Sequence, residues 1–274
     1  MPPRRVLAIR PEPALTSNLA AVLDPAQHEA ECCAGNVDAV HRLRARSIDV
    51  VITDPSTTME EDLALATELR SLRPAVRTIV LAPHATHSSV VDAMRAHVFA
   101  CFTPPFEYRE IAEMAASAAA LDDWGDGIHV VSGSPHWLTL RVACHLLTAE
   151  RVVRFMTELQ SPVPDADRDL LIAAFRELLL NAMEYGAGFD HETAARTARA
   201  IVYHFKDPGA GFDRSSLGHA TAASIPEAVI ATAMHRSEIG LRPGGFGMLI
   251  VRQVADEVAY NERGNEVLLI KHVG

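Results

Sequence analysis

The sequence predicts an α/β protein of two domains, the first built on a doubly wound parallel sheet. Three observations carry this expectation. Short apolar runs alternate with longer segments of helical periodicity through residues 1–121. An acidic, glycine-containing stretch, Asp122-Asp-Trp-Gly-Asp-Gly127, then interrupts the pattern. Beyond it the order changes to a strand pair, two helices, a strand, a helix and a closing hairpin. A chain of 274 residues with 49% hydrophobic side chains can fill two ordinary cores, and that share excludes global disorder.

In the first domain, Val6–Ile9, Ala30–Cys33, Asp49–Thr53, Thr78–Leu81 and Ala100–Phe102 read as strands. Leu15–Leu23, Val37–Arg46, Glu60–Leu72, Ser88–Ala96 and Tyr108–Ala119 read as helices. Strands this short and apolar, each followed by a helix, imply a parallel sheet covered on both faces. Crossovers are expected to be right-handed. The functional end of such a sheet is the carboxyl end of its strands. The domain limits expected are 1–121, a linker with the start of a hairpin over 122–136, and a second domain over 137–274.

Bulk properties exclude several function classes. A net charge of −10 argues against non-specific nucleic-acid binding. No apolar run reaches the roughly 18–20 residues of a membrane span. The opening Met1-Pro-Pro-Arg-Arg5 and a short apolar run read as a first strand rather than a signal peptide, so a cytoplasmic protein is expected. Cys32, Cys33, Cys101 and Cys144 form no Cys-x-x-Cys and read as reduced thiols. His84-x-x-His87 has a loosely metal-like spacing, but no ligand cluster accompanies it, so two loop histidines are the expected reading.

The third strand of the first domain ends on Asp54, in Asp49-Val-Val-Ile-Thr-Asp54, and Pro105-Phe106 follows the fifth. Over residues 4–120 this resembles a two-component receiver domain, with a flavodoxin-like fold and Asp54 at the phospho-acceptor position. The rest of the family's site departs from the pattern. Arg10-Pro11, with only Glu12 beside them, replace the acidic pair that holds Mg²⁺. Ala82 stands where a Thr or Ser is expected, and Pro104 where a lysine is. Phosphoryl transfer to an aspartate needs its charge neutralised. Arg10 beside Asp54 would fix that charge permanently. A receiver-shaped interaction or dimerisation domain is the favoured reading, with Asp54 a candidate phospho-acceptor.

In the second domain, Ile128–Val131 and Trp137–Cys144 read as strands around a turn at Ser132-Gly-Ser-Pro135. Ala149–Leu159 is an amphipathic helix. The next helix runs to about Tyr185, with Asp165 or Asp167 as its cap. Leu171, Ala174, Phe175, Leu178 and Ala182 share its apolar face, and Glu177, Asn181 and Glu184 form a polar stripe beside it. Such polar groups are costly to bury without partners, which a metal-bound phosphate chain would supply. The Ala-rich segment Ala194–Ala200 reads as ordinary helix or loop. Ala200–Phe205 reads as a strand, Met248–Val254 as a helix, and Val258–Asn261 with Glu266–Lys271 as a final hairpin ending on an edge strand. The long connection Arg214–Pro243, with a short helix at Pro226–Met234, reads as a functional loop.

Three motifs follow one another here: Glu177-Leu-Leu-Leu-Asn181-Ala-Met-Glu184-Tyr-Gly186, Asp207-Pro-Gly209-Ala-Gly211-Phe212 and Gly244-Gly245-Phe246-Gly247-Met248-Leu249. In this order they resemble the nucleotide-binding boxes of the GHKL ATPase superfamily, which includes histidine kinases and gyrase. Their tight spacing is most similar to that of the anti-sigma-factor serine kinases. The resemblance covers about residues 137–272 and implies a two-layer α/β sandwich that binds ATP and Mg²⁺. It implies that Asn181 coordinates Mg²⁺ and that Glu177 acts as general base or orients the attacking group. It implies that Asp207 accepts a hydrogen bond from the adenine amino group, and that Gly209 and Gly211 admit the base and ribose. Gly245 and Gly247 would border the phosphates, with the helix starting near Met248 directed at their charge. The long connection would be the ATP lid, from which Arg236 or Arg242 could reach the γ-phosphate.

No helical hairpin with a phospho-accepting histidine fits the sequence. The leading expectation is therefore a bacterial signal-transduction regulator. It would phosphorylate a Ser or Thr of an anti-sigma-factor antagonist-like or other regulatory protein, with a sigma factor a further partner, and it would act as a homodimer. Two alternatives stay open. One is a non-catalytic ATP-sensing module. The other is a histidine kinase that borrows its phospho-accepting hairpin.

Overall fold

The computed structural model describes residues 3–122, 125–134, 137–159, 163–185, 192–196, 200–209, 211 and 247–272. The chain divides into two compact units, Met1–His129 with Arg154–Gln160, and Val130–Val153 with Ser161–Gly274.

The first unit alternates strand and helix throughout: β1 (Arg4–Ile9), α1 (Pro13–Val22), β2 (His28–Cys33), α2 (Asn36–Ala45), β3 (Val50–Ile52), α3 (Met59–Leu72), β4 (Arg77–Leu81), α4 (His87–Arg95), β5 (Ala100–Phe102) and α5 (Tyr108–Ala119). The strands pair in parallel in the order β2-β1-β3-β4-β5. This is the flavodoxin-like doubly wound order. Every residue of β3, β4 and β5 is buried, as a parallel sheet covered on both faces requires. α1 and α5 pack together, and α5 lies on β1 and β3. α2 and α3 pair with each other and contact β1 and β4 respectively. Leu7, Ile9, Leu43, Val51, Leu65 and Leu69 form the core beneath α2 and α3. Local sequence fixes two helix starts: Thr58 and Glu61 close a capping box on α3, and Thr86 and Ser89 close one on α4. Arg154 joins this unit, its guanidinium 4.7 Å from the centre of the Phe102 ring and 3.2 Å from Glu110.

The second unit is an α/β sandwich with a six-stranded sheet, ordered β10-β11-β9-β8-β7-β6. Its elements are β6 (Ile128–Ser134), β7 (Trp137–Val142), α6 (Leu146–Glu158), α7 (Asp165–Tyr185), β8 (Glu192–Arg196), β9 (Ala200–Lys206), α8 (Gly247–Val254), β10 (Glu257–Tyr260) and β11 (Glu266–His272). β7, β8, β9, β11 and β10 pair antiparallel in succession. Burial alternates along β9, with Ile201, Tyr203 and Phe205 inside and Val202 and His204 half-exposed. The buried row meets α7, where Phe175 packs edge-on against Tyr203 at 5.1 Å and against Phe205 at 5.2 Å.

Four local readings are corrected. Glu192–Arg196 is a strand, not helix or loop, because pairing with β7 and β9 overrides alanine's helical preference. The last strand is not an edge: β10 takes that place and β11 lies between it and β9. β6 continues through Ser134, so Ser132–Ser134 are strand rather than turn. α7 already includes Asp165 and Asp167, and its first backbone bond runs from Arg168 N–H to Pro164 O, so neither aspartate is the cap residue. The segment 212–246, with the short helix, Arg236 and Arg242, lies outside the described residues.

Candidate functional site

β9 leaves the sheet at Lys206, and Asp207 is the first residue beyond it. Its carboxylate folds the following turn, Oδ1 accepting the Gly209 N–H at 2.8 Å. Partial burial pushes the Asp207 carboxyl upward from its usual value, opposed by that hydrogen bond and by the Arg263 guanidinium. Gly209 is buried and Gly211 exposed. At Gly211, φ is +79°, and a Cβ would lie 1.8 Å from the Arg263 carbonyl oxygen, so glycine is demanded twice over. The resemblance gives Gly209 and Gly211 together to close approach of base and ribose; the demand visible at Gly211 comes from the protein's own backbone.

Glu177 and Asn181 lie one helical turn apart on α7, beside a row of buried Leu171, Ala174, Phe175 and Leu178. Both are half-buried, the Glu177 side chain at 18% exposure with the Arg176 guanidinium 3.9 Å away. Ala182, assigned to the apolar face, is half-buried as well. α8, which begins at Gly247 and includes Met248, packs against α7. The helix carrying Glu177 and Asn181 therefore touches both the strand that leads into Asp207 and the helix that begins at Gly247. Gly245 lies outside the described residues. A carboxylate at Asp207, acceptor-only when ionised, suits a donor such as an exocyclic amine. A carboxamide oxygen at Asn181 is a hard donor of the kind Mg²⁺ takes. Among the described residues, no group of three or more His, Cys, Asp or Glu could hold a metal.

Sequence reasoning passed over two asparagines. Asn265, only 7% exposed, donates from Nδ2 to Asp207 O at 2.8 Å and to Gly209 O at 3.5 Å. Asn261 in turn donates from Nδ2 to Asn265 Oδ1 at 2.9 Å and accepts the Asn265 N–H at 3.1 Å. The signal available was Glu262-Arg-Gly-Asn265 in a hairpin tip, which reads as turn chemistry alone.

In the first unit, Asp54 lies at the carboxyl end of β3 with its side chain 3% exposed. Oδ1 accepts the Ser56 N–H at 2.9 Å and its hydroxyl at 2.6 Å. Arg10 Nε stands 3.1 Å from Oδ2, the expected neighbour of this carboxylate. The approach is misaligned for a hydrogen bond, so Oδ2 is balanced by charge alone. Arg10 reaches this position from a left-handed backbone, φ +41°, uncommon for a residue with a side chain. Glu12 points elsewhere, accepting the Tyr108 hydroxyl at 2.8 Å. Ala82 is fully buried at the end of β4. No helix among the described residues is long and apolar enough to cross a membrane.

Residues 142–271 match the family model described as the histidine kinase-like ATPase domain. That span contains α7, the Asp207 loop and α8. The N-terminal two-fifths of the chain is similar to solved receiver structures. A CheY-like response regulator receiver domain protein from Methanospirillum hungatei JF-1 is 19% identical, with a TM-score of 0.35, covering 40% of this chain and 89% of that one. A response regulator from Thermotoga maritima is 18% identical, with a TM-score of 0.38, covering 43% and 99%. The chemotaxis response regulator CheY4 of Vibrio cholerae is 15% identical, with a TM-score of 0.36, covering 42% and 98%. No curated protein matches the chain.

Proposed function

We propose that this chain is a bacterial signalling regulator whose second unit binds Mg-ATP and transfers the γ-phosphoryl group to a Ser or Thr of a partner protein. The observation that supports this most is that α7, with half-buried Glu177 and Asn181, packs both on β9, which leads into the Asp207 loop, and on α8, inside a segment matching the histidine kinase-like ATPase domain. In this reading Asp207 receives the adenine amino group, and Asn181 would hold Mg²⁺ against the phosphates. Bound Mg²⁺ would supply charge neutralisation on the phosphate chain. The partner's hydroxyl oxygen forms a bond to the γ-phosphorus, the bond to the β–γ bridging oxygen breaks, and ADP leaves. The hydroxyl proton passes to the Glu177 carboxylate.

Gly209, Gly211, Gly245, Gly247 and Met248 border the nucleotide in this proposal. The partner is an anti-sigma-factor antagonist-like or similar regulatory protein, and the active form is a homodimer. The first unit acts as an interaction domain rather than a phosphoryl acceptor, because Arg10 already neutralises Asp54. Calorimetric titration with ATP and Mg²⁺ tests the nucleotide site. Wild type is expected to bind, and Asn181→Ala and Asp207→Asn each to weaken binding by roughly tenfold or more, the scale of one lost charge-assisted contact. Wild type that fails to bind millimolar nucleotide would exclude the proposal.

A further inference from the structure

We infer that Asn265 is the positioning residue that sets adenine selectivity, by holding the Asp207–Gly211 loop against the tip of the β10–β11 hairpin. The inference rests on the ATP reading above and extends it to a residue outside all three motifs. Asp207 is tied to the hairpin in both directions. Its N–H donates to Asn265 O at 3.0 Å, continuing the β9–β11 ladder by one step. Its carbonyl accepts Asn265 Nδ2 at 2.8 Å, and the same amide reaches Gly209 O at 3.5 Å. The turn carrying the carboxylate is thus clamped at both ends by one buried carboxamide.

The carboxamide is itself oriented. Asn265 Oδ1 accepts from Asn261 Nδ2, and Asn261 Oδ1 accepts the Asn265 N–H. Asn261 N–H closes the hairpin on Glu266 O at 3.1 Å, and Gly264, at φ +74°, makes the reversal. One residue before Gly264, the Arg263 carbonyl fills the space a side chain at position 211 would need. Asn265 and Arg263 together form a template that shapes the loop from Asp207 to Gly211. Few residues could replace Asn265. Two backbone carbonyls need donors, and Asn261 needs an acceptor. A carboxamide offers both kinds of atom, whereas a carboxylate would set an acceptor against two carbonyls.

A residue acting through Asp207 has a signature that a general packing role lacks. Displacing the carboxylate weakens nucleotides with an adenine amino group and spares those without one. Calorimetric titration of the full chain with ATP and with ITP, which lacks that amine, reads the difference directly. Wild type is expected to prefer ATP. In Asn265→Ala the ATP-to-ITP affinity ratio is expected to fall about tenfold, mostly through ATP, a loss on the scale of one or two hydrogen bonds. Asn261→Ala leaves Asn265 in place without its orienting bonds, and is expected to lower the ratio about threefold. It also serves as the test should Asn265→Ala not fold. A wild-type ratio retained in the folded variants overturns the inference while the ATP reading stands. ATP and ITP weakened equally also overturns it, since that reports loss of structure. Wild type that binds neither nucleotide removes the ATP reading and this inference together.

Discussion

Asp62 shows how one proton can decide a residue's contribution. It is fully buried, with Oδ1 2.7 Å from Thr57 Oγ1 and Oδ2 3.0 Å from Thr53 Oγ1. Thr53 donates to Asp62 while accepting the Leu81 N–H. Thr57 Oγ1 also lies 2.6 Å from Asp54 O, and its single proton cannot serve both acceptors. If Asp62 carries a proton, it donates to Thr57 and Thr57 donates to Asp54 O, so every group is satisfied. Burial accordingly pushes the Asp62 carboxyl up to about 6, from 3.8. The folded chain then binds the proton more tightly than the unfolded chain. Stability falls as pH rises from about 4 to about 6, and the cost, up to about 3 kcal/mol, stands in full above that range. Asp62→Asn supplies the same donor and acceptor without charge. Thermal unfolding of the full-length variant is expected to show a gain of several degrees at pH 7.5 that shrinks toward pH 4.5.

At the scale of elements, α7 ties the candidate site together through its contact with β9. Phe175→Ala removes the ring lying between Tyr203 and Phe205. The expected cost is about 3–5 kcal/mol, measured by urea unfolding, with nucleotide affinity falling as the helix and the Asp207 loop lose their common support. The strands and helices of the first unit were readable because short apolar runs alternate with longer helical segments. Buried runs such as Val50–Ile52 and Arg77–Leu81 stand out between amphipathic helices. β8 was not readable. Glu192-Thr-Ala-Ala-Arg196 has no apolar alternation, and it is a strand only because β7 and β9 supply partners on both sides. The edge position of β10 was hidden for a related reason: the order of strands in a sheet depends on pairings that no local pattern encodes.

For the molecule as a whole, the question is whether the second unit transfers a phosphoryl group to a partner. Glu177→Ala answers it. ATP affinity is expected to stay within about threefold of wild type, because the carboxylate is proposed to act on the partner's proton. Transfer of radiolabel to the partner is expected to fall about 100-fold or more. The label should survive acid, as phosphoserine and phosphothreonine do. Much of this candidate site was legible because its residues fall in short motifs, Glu177 with Asn181 and Asp207 with Gly209 and Gly211. Asn265 was not, because its partners Asp207 and Gly209 lie 58 and 56 positions upstream. The Arg10–Asp54 pair was legible for the opposite reason. A known strand end and a missing acidic pair left only one cation beside the aspartate.

The distance between Asp207 and Asn265 also orders events during synthesis. A ribosome releases the three motifs before the hairpin that shapes the Asp207 loop. A nascent chain with all its signature residues exposed still lacks the template that holds the Asp207 loop. The order of the Asp207 loop therefore waits on the β10–β11 pair, whose strand β11 docks beside β9. A truncation just short of Asn261 would keep every motif and lose the hydrogen bonds that hold the Asp207 loop.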